Sequence, residues 1–145
     1  MLYLDTSFVT PLFLPEETSG DFAAFVQRLP AGDVAVSHWT LVEFSSLLAR
    51  KVRARELSAR EATEADMRFE ASVGQSFIVF LPVGDEFAVA RRYVQRLETG
   101  LGAPDALHLA IAANRDARVI YSLDRKLIAT GRPLGLPVSP GVRLG

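Results

Sequence analysis

Four acids stand where they could act on one substrate. Asp5 closes the apolar run Leu2-Tyr3-Leu4, and Glu43 falls in the first turn or so of a helical pattern. Asp105 follows Pro104 at another helix start, and Asp124 lies just after the run Val119-Ile120-Tyr121. A carboxylate in a first helical turn is a favourable partner for the macrodipole, so Glu43, Asp105 and Asp124 each admit a plain structural role, Asp124 as a cap. Asp5 admits it less readily, because an acid after three apolar residues of a central strand is seldom there for stability. Clustered carboxylates repel unless something positive lies among them, and Mg²⁺ or Mn²⁺, hard ions that take oxygen ligands, are the natural occupants. Such a cluster activates water and neutralises charge on a phosphoryl group, so the expected substrate is a phosphate ester.

Other chemistries are excluded by what the chain lacks. It has no cysteine, which rules out a disulfide scaffold, a zinc-thiolate or iron–sulfur site and a thiol nucleophile. His38 and His108 are its two histidines, too few for a three-histidine metal centre. No G-x-x-x-x-G-K-[ST] loop occurs, and Gly100-Leu101-Gly102-Ala103-Pro104-Asp105 starts like a dinucleotide fingerprint but ends in an acid. Asp5 is followed by Thr6 and Ser7, without the second Asp that an aspartyl-nucleophile phosphatase needs, and a serine elbow is missing too. With 16 Lys+Arg against 17 Asp+Glu the net charge is −1, which excludes a polybasic binder but not a local basic face. Arg50, Lys51, Arg53 and Arg55 form the densest basic run, and Arg91, Arg92 and Arg96 another. Either could track an RNA backbone or simply be a solvated helix face. Trp39 and Tyr93 could stack on bases, although core or interface packing is the simpler role. His108, three residues after Asp105, could touch a substrate phosphate; a helix-surface or core histidine is the simpler reading.

The elements that must position these acids alternate along the chain. Short apolar runs at Leu2-Leu4, Val34-Val36, Phe77-Leu81 and Val119-Tyr121 predict strands, and Leu136-Pro137-Val138 could supply only an edge. Helical patterns cover Glu17 to Leu29, Thr40 to Glu56, a stretch opening at Ser58 with Glu61 as its capping box, Asp85 to Thr99, Pro104 to about Asn114 and Leu123 to Thr130. Gly100 and Gly131 stop two of these helices. Strands separated by helices predict a three-layer α/β/α sandwich around a mostly parallel sheet of four to five strands. At 145 residues and 49% hydrophobic, the chain reads as one domain over residues 1–145, with 133–145 a loosely held tail. Ligands of such sheets bind outside the carboxyl ends of the strands, and Asp5, Glu43 and Asp124 fall there by chain order alone. Asp105 joins them if its helix start points the same way. The longest uncharged run, between Glu70 and Asp85, is too short for a bilayer, which needs about 20 apolar residues. The start lacks a basic leader, so a cytoplasmic protein with no membrane attachment is expected. Phe22, Phe25, Phe44, Phe69 and Phe87 exceed what one small core must use, which points to a homodimer or another partner.

Four blocks in order resemble the signatures of PIN-domain ribonucleases. They are Leu4-Asp5-Thr6-Ser7, Val42-Glu43-Phe44, Pro104-Asp105-Ala106-Leu107-His108-Leu109-Ala110 and Ser122-Leu123-Asp124-Arg125-Lys126-Leu127. Length and order match best with VapC-type toxins of toxin–antitoxin pairs. The resemblance implies a metal-dependent endoribonuclease with Asp5, Glu43, Asp105 and Asp124 holding Mg²⁺ or Mn²⁺. Ser122 matches the family's small hydroxyl residue before the last acid and is expected to orient a water, with Thr6 or Ser7 positioning Asp5. It further implies an RNA substrate, a homodimer and a cognate antitoxin whose C-terminal segment crosses the site. Two other readings stay open: a non-catalytic α/β module in which the acids are only caps, and a PIN-type RNA-processing nuclease without an antitoxin.

Overall fold

The computed structural model describes residues 1–14 and 20–142. Among these, five strands form one sheet: β1 (Leu2–Leu4), β2 (Val34–Ser37), β3 (Ile78–Phe80), β4 (Val119–Tyr121) and β5 (Val138–Ser139). Their order is β3-β2-β1-β4-β5 and every neighbouring pair is parallel. The expected α/β/α sandwich is therefore observed, with β1 at its centre and the order reversing between β1 and β4. The helices are α1 (Thr6–Phe13), α2 (Gly20–Val26), α3 (His38–Arg53), α4 (Ala59–Ser76), α5 (Gly84–Val94), α6 (Ala103–Asn114) and α7 (Arg125–Gly131).

Side chains alternate across the short strands and divide the interior in two. Tyr3, Ala35 and Ile120 face a core completed by α5, α6 and α7. Leu4, Val34 and Val36 face the opposite way, against α1 to α4. The second core is rich in aromatic contacts, with Phe44 and Phe69 at 4.8 Å and Phe8 and Phe22 at 5.1 Å between ring centroids. Of the phenylalanines expected to serve a partner, Phe22, Phe44 and Phe69 are buried and Phe25 packs beside them. Phe87 alone of that set is an exposed large hydrophobic. The surplus thus lies mainly inside, because two cores flank the sheet rather than one.

Several boundaries differ from the sequence reading. α1 occupies a stretch where no helix was expected. Pro11 inside it argues against a helix, yet Asp5 caps it by accepting from the Phe8 N–H at 3.0 Å. The first part of the helix expected from Glu17 lies outside the described residues, and the described part runs Gly20–Val26. The helix expected over Asp85 to Thr99 breaks after Val94, and a single 3₁₀ turn, Leu97–Thr99, leads to Gly100 at φ +61°. Ser58 and Glu61 form the expected capping box. Glu86 is fully buried, where it accepts from Asn114 and pairs with Arg115 at 3.0 Å, tying α5 to α6.

The segment expected to hang as a loose tail is anchored. Val138 is buried, residues Val138–Ser139 pair with β4 as the sheet's edge, and the Ser122 N–H donates to the Ser139 carbonyl at 3.1 Å. Residues 143–145 of that segment lie outside the described ones. Gly131 is required at this join: a Cβ there would meet Val138 Cγ1 at 2.7 Å. Valine is branched at Cβ and cannot swing clear without leaving its rotamer. Gly131→Ala should therefore destabilise the protein by about 1–3 kcal/mol through overpacking, read as a lower midpoint in urea. An unchanged midpoint would mean that β5 yields freely.

Candidate active site

The parallel topology delivers the carboxyl ends of β1, β2 and β4 to one edge. Asp5 sits in the turn from β1 into α1, Asp124 caps α7 after β4, and Glu43 lies in the second turn of α3 after β2. Asp105 arrives from the first turn of α6, whose start does point the same way. All four line one cavity of about 490 Å³, together with His108 and Trp39. Arg50 is the only Lys or Arg among the described residues lining it.

Asp5 is the most deeply set of the four, at 3% exposure. Its Oδ1 accepts from Ser7 Oγ at 2.7 Å and from the Phe8 N–H, while Oδ2 accepts from Ser122 Oγ at 2.8 Å. Burial pushes its carboxyl above the ordinary range, against the opposing pull of His108 and these hydrogen bonds. Ser7 also accepts from the N–H groups of Leu123 and Asp124 at 2.8 and 3.1 Å, which pins the loop after β4 to the start of α1. Asp124 uses Oδ1 to accept from the N–H groups of Lys126 and Leu127. Its capping role is thus real, and Oδ2 has no hydrogen-bond partner among the described residues.

Glu43 and Asp105 cap nothing. Burial alone would raise the Glu43 carboxyl, but the hydrogen bond and charge of His108, with the Thr6 hydroxyl, hold it below the usual range. Thr6 Oγ1 donates to Glu43 Oε2 at 2.6 Å, and His108 Nε2 bonds the same oxygen. The Asp105 carboxyl is pushed up to about 6, first by burial and then by the charge of Asp124, with Asp5 and Glu43 adding to it. Burial thus comes first, and the neighbouring carboxylates add repulsion at an acid that makes no hydrogen bond among the described residues, while the charge of His108 opposes the shift.

One expected role changes, and one alternative is decided. Ser122 does not line the cavity; its fully buried hydroxyl donates to Asp5 and accepts from the Asp124 N–H at 3.0 Å, so it holds Asp5 instead of meeting a water. Ser7, not Thr6, shares that task, because Thr6 turns to Glu43. His108 is a core histidine at 1% exposure, bonded through Nδ1 to Tyr3 Oη at 2.9 Å. The sequence reading missed Tyr3, although a tyrosine in a buried strand calls for a polar partner. Arg50 was visible only as part of a basic run, yet its spacing of seven from Glu43 already placed both on one helix face.

Among the described residues, no three His, Asp or Glu side chains converge on a point closely enough to hold an ion by protein atoms alone. The donor set is all carboxylate oxygen, and Glu43 Oε1, Asp124 Oδ2 and the Asp105 carboxyl remain without hydrogen-bond partners among the described residues. That fits a hard divalent ion that keeps several waters and takes one or two carboxylates directly, as Mg²⁺ does.

A family model described as PIN domain matches residues 2–133. No curated protein matches the chain in sequence. Among solved structures, it is similar to Mycobacterium tuberculosis VapC20, named a Sarcin-Ricin loop cleaving toxin, at 22% identity and TM-score 0.70 over 90% of this chain and 95% of that one. FitAcB from Neisseria gonorrhoeae matches at 20% identity and TM-score 0.73, covering 99% and 100%. VapBC-1 from nontypeable Haemophilus influenzae matches at 16% identity and TM-score 0.66, covering 96% and 97%. No helix among the described residues is long and apolar enough to cross a membrane.

Asp105 offers a direct test of the repulsion. An acid whose folded pKa is raised favours its protonated form in the fold, so it weakens the protein as pH climbs from its ordinary 3.8 through about 6 and the deficit persists above. Metal-free Asp105→Asn should melt higher than wild type at pH 7 by roughly 2–4 °C, the effect of about 1 kcal/mol in a chain this size. The difference should close at pH 4, and Mg²⁺ should raise the variant's melting temperature less than wild type's. A variant that melts lower at pH 7 and keeps the full Mg²⁺ shift would make Asp105 a helix-start acid only.

Proposed function

The chain belongs to the PIN-domain family, and from that premise we propose that it is a Mg²⁺- or Mn²⁺-dependent endoribonuclease, the toxin of a toxin–antitoxin pair. The observation that carries this reading is the convergence of Asp5, Glu43, Asp105 and Asp124, from four separate elements, on one cavity at the carboxyl edge of the sheet. Capping accounts for Asp5 and Asp124; Glu43 caps nothing, and the macrodipole at the start of α6 does not keep the Asp105 carboxyl from being pushed up to about 6. When bound there, a hard divalent ion supplies charge neutralisation at a phosphodiester and an activated water.

The chain's own residues have separable tasks. Asp5, held by Ser7, Ser122 and the start of α1, fixes the floor of the site. Glu43, Asp105 and Asp124 present the oxygens that would hold the ion. Arg50, the one cation of the cavity lining, meets a phosphate of the substrate as it arrives. RNA as the substrate class is supported by the likeness to VapC20, and a partner protein by the likeness to VapBC-1. A homodimer is supported by the exposed Phe87 and Val94 of α5 and the exposed Leu97 beyond it. The site of action is the cytoplasm.

Purified protein should cut structured RNA with Mg²⁺ or Mn²⁺ and stop in EDTA. Asp5→Asn should abolish cleavage while keeping the fold, since the amide oxygen can still accept from Ser7 and the Phe8 N–H and the amide nitrogen can donate to the Ser122 hydroxyl, but the charge is lost. Arg50→Ala should raise KM with little change in kcat, the pattern of lost ground-state binding. Full cleavage by Asp5→Asn, or activity indifferent to EDTA, would overturn this reading.

A further inference from the structure

We propose that His108 is a positioning residue for the reaction: its Nε2–H fixes the Glu43 carboxylate in one orientation, while Tyr3 and Ser37 hold the ring from behind. The proposal rests on the nuclease reading above and adds to it a chain of four buried or half-buried groups, Ser37, Tyr3, His108 and Glu43, that ends at the cavity.

The hydrogen positions follow from the partners. Glu43 Oε2 can only accept. Thr6 Oγ1 gives its hydrogen to that oxygen at 2.6 Å, so towards His108 Nε2, at 3.1 Å, it can only accept as well. Both neighbours of Nε2 therefore require a hydrogen on it. On the other side, Nδ1 meets Tyr3 Oη at 2.9 Å, and Tyr3 Oη meets Ser37 Oγ at 3.0 Å. A hydroxyl can give or take a hydrogen, so the grip on the ring does not depend on its charge. The Tyr3 and His108 rings also meet edge to face, with centroids 5.8 Å apart. Ser37 is the N-cap of α3, the helix that carries Glu43, so the chain closes on the element it serves.

The result is an asymmetric carboxylate. Oε2 of Glu43 is saturated by two donors, and Oε1 is left for the cavity. A glutamate has three side-chain torsions, and this one is 22% exposed, so without the clamp it would turn to solvent. A histidine needed only to fill the core would be better replaced by an aliphatic side chain, because burying polar groups carries a desolvation cost. Partners that orient a metal-binding carboxylate typically matter by about 10- to 100-fold in metal affinity or activity.

The test compares His108→Leu, His108→Gln and Tyr3→Phe with wild type. Mn²⁺ affinity is read from quenching of Trp39, the chain's single tryptophan, which lines the cavity. Cleavage of RNA gives kcat and KM, and metal-free melts report folding. His108→Leu should lose about 10- to 100-fold in Mn²⁺ affinity and in kcat, with KM for RNA nearly unchanged. His108→Gln, which keeps an N–H donor at similar reach, should recover most of both. Tyr3→Phe removes one hydroxyl without changing shape and should give a smaller loss in the same two quantities; it keeps the proposal testable if His108→Leu does not fold. Lower melting temperatures with unmoved Mn²⁺ affinity and kcat would reduce His108 to a core residue and overturn the proposal. So would a folded His108→Gln no better than His108→Leu. If wild type binds Mn²⁺ but cuts no RNA, the nuclease reading falls, and the affinity arm alone then decides whether the clamp exists. If wild type binds no Mn²⁺, both fall.

Discussion

A carboxylate set at the end of a buried central strand constrains everything around it. Asp5 is almost wholly buried, and its three hydrogen bonds, each worth about 1.5–3 kcal/mol to a charged acceptor, do not offset the desolvation of the charge, since its carboxyl is still pushed upward. Three features follow from keeping it there. The start of α1 must meet it with a backbone N–H, and Ser7 and Ser122 must flank it with hydroxyls. The loop after β4 must close over Ser7, which brings Asp124 into place. One acid thus organises two crossovers, and its remaining need is a positive charge on the cavity side.

The other three acids are held differently. Asp124 caps α7, and Glu43 is bonded by His108 and Thr6. Asp105 makes no hydrogen bond among the described residues, and burial followed by the charge of Asp124 pushes its carboxyl up against the pull of His108. The raised Asp105 carboxyl is what a plain helix-start acid would not show, since the macrodipole favours the charged form there. A shared cavity is compatible with no three ligands meeting at a common point among the described residues, because a water-rich hard ion takes direct bonds from only part of a carboxylate set.

Much of this was legible in the residues. The short unbroken apolar runs and the acids after them place β1, β2 and β4 and the edge to which they deliver Asp5, Glu43 and Asp124. The blocks around the acids carried the family resemblance. What escaped depended on contacts distant in sequence. Helix α1 was hidden by Pro11, although Asp5 as a cap and Phe8, Val9 and Leu12 at helical spacing signalled it. The end of the chain looked loose because prolines and glycines fill it, while the pairing of Val138 with Ile120 and the close approach at Gly131 are tertiary. That the Ser122 hydroxyl turns to Asp5 and the Asp124 N–H is likewise beyond the sequence, which cannot show which way a hydroxyl points. His108, readable from sequence only as a helix-surface or core histidine, lies in the core, and its link from Tyr3 to Glu43 spans 105 and 65 residues and leaves no local pattern.

Whether these acids form one cation site can be seen directly. Crystals grown or soaked with saturating Mn²⁺ and measured above the manganese absorption edge would locate the ion without reference to activity. An anomalous peak is expected in the cavity bounded by Asp5, Glu43, Asp105 and Asp124, with its loss in crystals of Asp5→Asn. A wild-type map with no peak there, or a peak that survives Asp5→Asn undiminished, would show that the acids do not form such a site.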